Sequence, residues 1–372
     1  MPGQEQRWLR RITLSLLTTA IVLAGAPIAS AEPRFLWGEG RPRFHVIAGG
    51  NPREAHEQSL AGQNVPLWDG DFTFQGQRFD FTMVGTDPNL GSATTAIPIV
   101  VVPLKFQFAD GTALSATDPI CGGTDDPITL VQNSPLFQPF PFAPGGTDVG
   151  TTQYIDAFQR ANFWSVVSTS APDYHVSFTA TVKPTQTIRV PRILGSTSPG
   201  PCARIGQVHL LPFDSTIRRL IASLGIPPTS LPLFVSYNTF LTEAGCCILG
   251  YHSLTTGSQT YAFASYSDPG IFDVPIEDIH AMSHELGEWL DDPLVNNQVP
   301  AWKEGQATSC QRSLEVGDPV TGIAFTASLN GTDYHPEDLV FLPWFARGSP
   351  SSSVNGWYTF LDSFPSPPPA CH

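Results

Sequence analysis

Proline and glycine punctuate the whole length of this chain, and they limit what it can fold into. Its 372 residues include 36 prolines and 32 glycines, spread along the sequence rather than collected in one tract. Proline interrupts helices and central strands, and glycine weakens the interior of either. With 41% hydrophobic residues and 24 phenylalanines, the composition predicts a loop-rich, strand-rich fold with a real core rather than a disordered chain.

The first residues predict export. Arg7, Arg10 and Arg11 precede the apolar run "ITLSLLTTAIVLAGAPI", and the small-x-small pattern Ala-Ser-Ala follows at 29–31. The run is too short and too interrupted to span a membrane. We interpret residues 1–31 as a signal peptide of the ordinary secretory type, with a twin-arginine signal as the alternative. The mature chain is therefore expected to be secreted, either extracellular or periplasmic, with no membrane partner.

The mature chain is strongly acidic. The full sequence carries a formal charge of −14, and the first 31 residues hold three arginines and one glutamate, which leaves −16 after cleavage. Such a surface repels phosphate backbones, so nucleic acid is excluded as a partner. An acidic chain also suits the binding of cations.

All six cysteines lie beyond the predicted signal peptide. An even number in an exported chain favours disulfide bonds, and no pair has the two-residue spacing of zinc-binding cysteines. The adjacent Cys246 and Cys247 are expected to bond to two different partners. Cys371 is expected to fasten the proline-rich C-terminal tail.

The apolar pattern predicts an α+β fold. Strands joined near Gly76 and a long strand at 97–108, whose two prolines suggest an edge or a bulge, form a β-rich region at 32–150. A helix at 214–225, three strands and a second helix then follow within 151–372. This helix–sheet–helix order is typical of a zincin-type catalytic unit. One continuous domain over 32–372 is the alternative division.

The stretch "IHAMSHELGEWLDDP", from Ile279 to Pro293, predicts a helix with metal-type side chains. Pro275 suits the first turn and Asp273 the cap, while Pro293 ends the helix. One apolar stripe is expected to pack into the core. A neighbouring stripe, at steps of four, holds His280, His284 and Glu288.

His284 and Glu288 are the predicted metal ligands, and Glu285 is the predicted catalytic base. His280 and Glu288 are ~12 Å apart along the helix axis, too far to bind the same ion easily. The two ligands from this helix must therefore be neighbours in the stripe. In the His-Glu-x-x-His motif the base directly follows the first ligand, which fits Glu285 when His284 and Glu288 bind. His280 then supports the site or replaces a ligand. A carboxylate in place of the second histidine allows Zn²⁺ or another divalent cation, one per chain.

The third metal ligand is predicted downstream, in "SLEVGDP". In the gluzincin class of zinc peptidases a downstream glutamate completes the ligand set, and a following aspartate orients a ligating histidine. Glu315 and Asp318 stand in those places here. His335 and His252 are the alternative ligands.

"HELGEWLDDP", Trp302, "LEVGD", "YHPEDLVFLPWF" and "NGWYTF" together resemble a group of uncharacterised secreted bacterial proteins with a zincin-like His-Glu-x-x-Glu helix. The resemblance covers residues 230–360 and implies a zincin-like fold. "GCCILGYHS" also resembles a segment of the phosphate-induced, EXORDIUM-like wall proteins, which implies a non-catalytic extracellular role.

Two functions therefore remain open from the sequence. The first is a secreted, zincin-like metal-dependent hydrolase, most simply a peptidase acting on a protein or peptide, in which Glu285 activates a metal-bound water. The second is a disulfide-stapled extracellular structural or binding protein, whose helix is inert or holds a structural ion. Replacement of Glu285 distinguishes the two functions, because the change should abolish turnover in the hydrolase and have no effect in the non-catalytic protein.

Overall fold

The computed structural model describes residues 42–47, 49–243 and 245–371. The predicted signal peptide lies outside these ranges. Within them the α-helices are α1 (Pro52–Leu60), α2 (Pro127–Asn133), α3 (Tyr154–Asn162), α4 (Trp164–Val167), α5 (Leu210–Ser223), α6 (His280–Asp291) and α7 (Leu342–Phe345). The strands are β1 (Arg43–Ile47), β2 (Leu67–Phe74), β3 (Gln77–Val84), β4 (Thr94–Phe108), β5 (Ala113–Ser115), β6 (Phe140–Phe142), β7 (Gly150–Thr152), β8 (His175–Val182), β9 (Gln186–Val190), β10 (Gly195–Ser198), β11 (Ile205–His209), β12 (Leu231–Tyr237), β13 (Thr239–Thr242), β14 (Ile248–Leu254), β15 (Thr260–Tyr266), β16 (Gln298–Trp302), β17 (Gln311–Ser313), β18 (Ala327–Leu329) and β19 (Thr332–Tyr334).

Eleven of the described strands form one mixed sheet. Its main order is β10-β11-β13-β14-β15-β12-β4-β5, with β1 beside β14 and with β8 and β9 beside β4. Strand β12 runs parallel to β15 and β4, whereas β14 is antiparallel to β13 and β15. The sheet thus takes strands from both 32–150 and 151–372. The predicted α+β class, strand-rich towards the N-terminus, is confirmed.

Helices cover both faces of this sheet. In β4, Ile99 and Val101 belong to a core that also contains residues of α3 and α6. Val100 and Val102 belong to a second core, with residues of α5. This alternation follows the period of two along a strand. Strands that are apolar on both faces are typical of a sheet between two layers of helices, and α6 lies in one of those layers.

The long strand β4 lies inside the sheet, so the prediction of an edge strand is wrong. The prolines are tolerated because each falls where one neighbouring strand does not pair. Pro98 pairs with β8 but precedes the residues that pair with β12. Pro103 pairs with β12 and falls between the segments that pair with β8 and β9. A missing N–H is harmless at a position without a ladder partner on that side.

Helix α6 begins at His280, later than the sequence predicts, so the predicted cap at Asp273 and first turn at Pro275 are wrong. The reason lies at Asp278, which adopts a left-handed backbone conformation with φ 43°. Its N–H donates to the carbonyl of Ser267, 2.8 Å away, and this bridge holds the chain in an extended path before the helix. Every residue of α6 is buried, against β14, β15, β3 and α3.

Three disulfide bonds staple the described chain: Cys121–Cys202, Cys246–Cys247 and Cys310–Cys371. The last one fastens the C-terminal tail, as predicted. The prediction that Cys246 and Cys247 bond to different partners is wrong. The other four cysteines pair among themselves, and a cis peptide bond brings the Cα atoms of the two neighbours to 3.1 Å. Disulfide bonds of this number are typical of proteins outside the reducing cytosol.

Candidate metal centre

Strand β14 places two residues against α6. Gly250 and His252 pair with Ala264 and Ala262 of β15, which lie in the same core as α6. A Cβ atom at Gly250 would lie 2.6 Å from Cγ of Glu285, so the helix approaches the strand where a side chain is absent. His252, one step along the same face, is fully buried beside Glu285.

The two ring nitrogens of His284 face three carboxylates. Nδ1 lies 2.6 Å from Oε2 of Glu337, so Nδ1–H donates to that carboxylate. Nε2 lies 2.9 Å from Oε1 of Glu288, which is ion-pair distance, and 3.6 Å from Oδ1 of Asp318. Histidines that bind a metal through one nitrogen usually donate the other N–H to a carboxylate. The arrangement of His284 is therefore that of a metal ligand.

Glu288 and Asp318 are fixed beside His284. Oε1 of Glu288 accepts the backbone N–H groups of Gly317 (3.3 Å) and Asp318 (3.2 Å). A Cβ atom at Gly317 would lie 2.3 Å from Nδ1 of His284, so glycine is required at this close approach. The amide of Gln306 donates to Oδ1 of Asp318. One ligand atom each of His284, Glu288 and Asp318 lie within 4.8 Å of one another, close enough to share an ion.

A second group shares Glu288 and contains Glu285 and His252, again with one ligand atom each within 4.8 Å. Here both histidine nitrogens have partners. Nε2 of His252 lies 3.2 Å from the carbonyl of Asp292, which can only accept, so Nε2 carries a proton. Nδ1 lies 3.2 Å from Oε2 of Glu285. His252 is thus better suited to orient Glu285 than to bind a metal.

The protonation of this pair follows from its burial. Burial, assisted by the charge of Glu288, raises the pKa of Glu285 well above its usual range. Burial lowers the pKa of His252, against the opposing charge of Glu288. In the metal-free chain the shared proton therefore belongs to Glu285, whose carboxyl donates to Nδ1 of His252. Oε1 of Glu285 has no hydrogen-bond partner.

Glu315, the predicted third ligand, lies next to these groups without belonging to either. It is buried, and neither of its carboxylate oxygens has a hydrogen-bond partner. Oε2 lies 4.0 Å from Nε2 of His252. The structure brings Asp318, predicted to orient a histidine or to replace a ligand, into the group with His284 and Glu288.

The two remaining predicted histidines differ in position. Nε2 of His280 lies 3.3 Å from Oε1 of Glu337, whose other oxygen holds His284, so one buried carboxylate supports both rings. His335 lies apart, with Nδ1 2.7 Å from Oδ2 of Asp278 just before α6. Its hydrogen bond to Asp278 outweighs burial and raises its pKa.

Negative charge at the centre exceeds what its side chains can neutralise. Burial and the charge of Glu288 raise the pKa of Glu315 well above its usual range, and raise the pKa of Asp318 to about 7. Burial raises the pKa of Asp292 to about 7 as well. Among the described residues, no lysine or arginine pairs with these carboxylates, and the basic side chains nearest to Glu315 and Asp318 are histidines. A divalent cation would replace the protons that the metal-free site needs.

The charges around His284 also favour a bound cation. Burial works to lower its pKa, but the charges of Glu288 and Glu337 outweigh burial and raise it. Burial likewise works to raise the pKa of Glu337, and the charges of His280 and His284 outweigh it and lower the pKa. Glu337 therefore stays ionised and available to hold His284. A nitrogen and two carboxylates form a donor set that suits Zn²⁺ and similar divalent ions.

Sequence reasoning missed Glu337 and named His252 only as an alternative ligand. Glu337 lies in an irregular segment, and no spacing rule connects it to a histidine so far away in the sequence. His252 carried a usable signal, because strand alternation places it on the same face as Gly250. The shared face of Gly250 and His252 points to the metal centre only once β14 is known to pack against α6.

Comparisons of the chain with protein-family models, with curated proteins and with solved structures found no match. The function is therefore argued from the geometry of the centre. In the described part of the chain, no helix has the length and apolar character needed to cross a membrane.

Proposed function

We propose that this chain is an exported metal-dependent hydrolase, with His284, Glu288 and Asp318 holding one divalent cation. One observation carries the proposal: a buried His284 has its Nδ1 on a carboxylate and its Nε2 facing two further carboxylates. A nitrogen and two carboxylates that converge in a buried space are a donor set that fits a divalent cation.

Glu285 is the group that we assign to proton transfer. It follows the ligand His284 on α6, and its Oε1 has no hydrogen-bond partner. Oε2 is held by His252, which fixes the orientation of the carboxyl. The charge of a bound cation would lower the pKa of Glu285 and favour its ionised form. The carboxylate could then take a proton from water and return it to a leaving group. His252 thus positions Glu285 without touching the reacting atoms.

A peptide bond is the substrate that fits this pairing. A bound divalent cation supplies Lewis acidity, which polarises a carbonyl and lowers the pKa of water. The chain's own residues supply the base beside it and a buried site in which charges interact strongly. Export, which we propose from the N-terminal sequence and the disulfide bonds, would place the enzyme outside the cytosol.

Turnover that depends on metal tests the proposal. The chain without its predicted signal peptide, loaded with Zn²⁺, is expected to cleave members of a quenched-fluorescence peptide library. EDTA should abolish the cleavage and added Zn²⁺ should restore it, because the cation supplies the Lewis acid. Cleavage that survives complete metal removal would contradict the proposal, as would a metal-loaded chain that cleaves nothing even when the centre is exposed.

The alternative is a non-catalytic extracellular protein in which the same residues hold a structural ion. The observation that favours it is burial: His284, Glu285 and Glu288 are at most 1% exposed. A substrate could not reach the centre in this conformation. Either the ion is structural, or part of the chain moves aside.

A further inference from the structure

One aromatic ring covers the candidate metal centre. The side chain of Phe44, from β1, stacks on the imidazole of His284 with ring centroids 3.4 Å apart and planes inclined by 15°. Its ring also lies 6.4 Å from that of His280. Phe44 is 3% exposed, and Asp318 retains 16% exposure of its side chain. The phenyl ring therefore covers one face of the His284 imidazole.

The covering segment is attached mainly through its backbone. Strand β1 runs parallel to β14, and the N–H of Arg43 donates to the carbonyl of Cys247, 3.1 Å away. The N–H of Phe44 donates to Oε1 of Gln306 at 2.7 Å, and Nε2 of Gln306 donates to the carbonyl of Phe44 at 3.3 Å. The same Nε2 also donates to Asp318. Gln306 thus joins the cover to a proposed ligand.

Strand β1 is a peripheral addition to the sheet. It pairs with β14 alone, over five residues, while β12 and β15 are paired on both sides. Short strands at an edge open at lower free energy than central strands do. Two glycines, Gly49 and Gly50, follow β1 where any Cβ would meet the backbone carbonyls of Leu254 and Thr255. Glycine is therefore required where the chain leaves β1.

A cavity of about 390 Å³ lies beside the attachment of this segment. Its lining includes Pro42, which precedes β1, and Gln306, which holds Phe44. Val274 and Thr321 line it as well.

We propose that residues 42–47 form a latch that closes the metal centre, and that the chain becomes active when the latch swings or is cut away. The inference rests on the proposed function, since a closed centre matters only if a substrate must enter. The latch explains how buried ligands could still serve a substrate. The centre is closed while the latch is in place and accessible once the latch is withdrawn.

Hydrogen–deuterium exchange of the metal-free chain without its signal peptide tests whether the latch opens. Amides of β1 are expected to exchange roughly 100-fold faster than those of β12 and β15, because local opening needs less free energy than global unfolding. Phe44→Ala should accelerate β1 exchange further and leave β12 unchanged. Exchange of β1 at the rate of the central strands, in both proteins, would overturn the latch.

Removal of Co²⁺ from the loaded chain tests whether the latch controls access. In excess EDTA, Phe44→Ala is expected to lose Co²⁺ at least about tenfold faster than the wild type, since chelator and ion need the opened state. Phe106→Ala is the matched control: it removes an equally buried phenyl ring from the core on the α5 side of the sheet. Equal rates in the wild type and Phe44→Ala would overturn the latch.

The two experiments separate this inference from the proposed function. Rapid exchange of β1 in a chain that binds no Co²⁺ supports a mobile segment and contradicts the metal-dependent enzyme. Bound Co²⁺ that leaves at a rate independent of Phe44 keeps the metal centre and contradicts the latch. If both hold, Phe44→Ala should also raise peptide turnover by about the same factor as it raises Co²⁺ loss.

Discussion

Replacement of Glu285 by glutamine is expected to lower turnover by about 10²- to 10⁴-fold, the usual contribution of a general base, while the metal content stays unchanged. Glutamine keeps the shape of the side chain and can still donate to Nδ1 of His252, as the protonated carboxyl does. It cannot accept a proton from water. The effect should appear equally in the wild type and in Phe44→Ala, where the centre is exposed.

Glu277→Gln is a suitable control for this change. Glu277 is a partly buried glutamate just before α6, 3.3 Å from His335 and outside both groups of proposed ligands. Turnover per bound Zn²⁺ should match the wild type in that control. Undiminished turnover in Glu285→Gln, with metal still bound, would remove Glu285 from the mechanism.

The second large effect is a reversal of the pH dependence of stability by metal. Asp318 and Asp292 have pKa values of about 7 in the folded chain, against 3.8 as the ordinary value. Between these values the folded state holds protons that the unfolded state has released, so stability falls as pH rises through this window. Because both groups interact with the charge of Glu288, their contributions do not add fully. We therefore expect a total loss on the order of 4 kcal/mol between pH 4 and pH 8.

Bound Zn²⁺ should change the sign of this slope. The ion competes with protons for the same carboxylates, so its binding strengthens as pH rises, and bound metal stabilises the folded state. Denaturant unfolding at pH 5.5 and pH 8, with EDTA and with Zn²⁺, measures both slopes. A metal-free chain that gains stability between pH 5.5 and pH 8 would show that the buried carboxylates are already neutralised by another route.

Much of the helix carrying the centre could be predicted from sequence. The step of four between His284 and Glu288 places them on one side of any α-helix, and Pro293 limits the helix at its end. The predicted start of the helix was wrong, because it is set by the bridge between Asp278 and Ser267, which follows the end of β15. Local capping rules cannot register such a tertiary contact.

The parts of the centre that the sequence did not reveal are those assembled across the fold. Asp318 rather than Glu315 joins His284 because a glycine at 317 lets the irregular segment approach the ring. Glu337 reaches the same histidine from a segment without regular structure. Phe44 reads in sequence as one more apolar strand residue. Neither hydrophobic period nor motif spacing encodes contacts between segments that are so far apart along the chain.

Metal content is the most direct test of the central claim. The chain without its predicted signal peptide is produced in an oxidising compartment and purified without a metal-affinity tag, and its metal content is measured by mass spectrometry. We predict about one equivalent of divalent metal per chain, lost in His284→Ala and kept in His335→Ala, whose ring is paired with Asp278 instead. A wild-type chain without metal, whose unfolding midpoint is unchanged by chelator or by added Zn²⁺, would contradict the account.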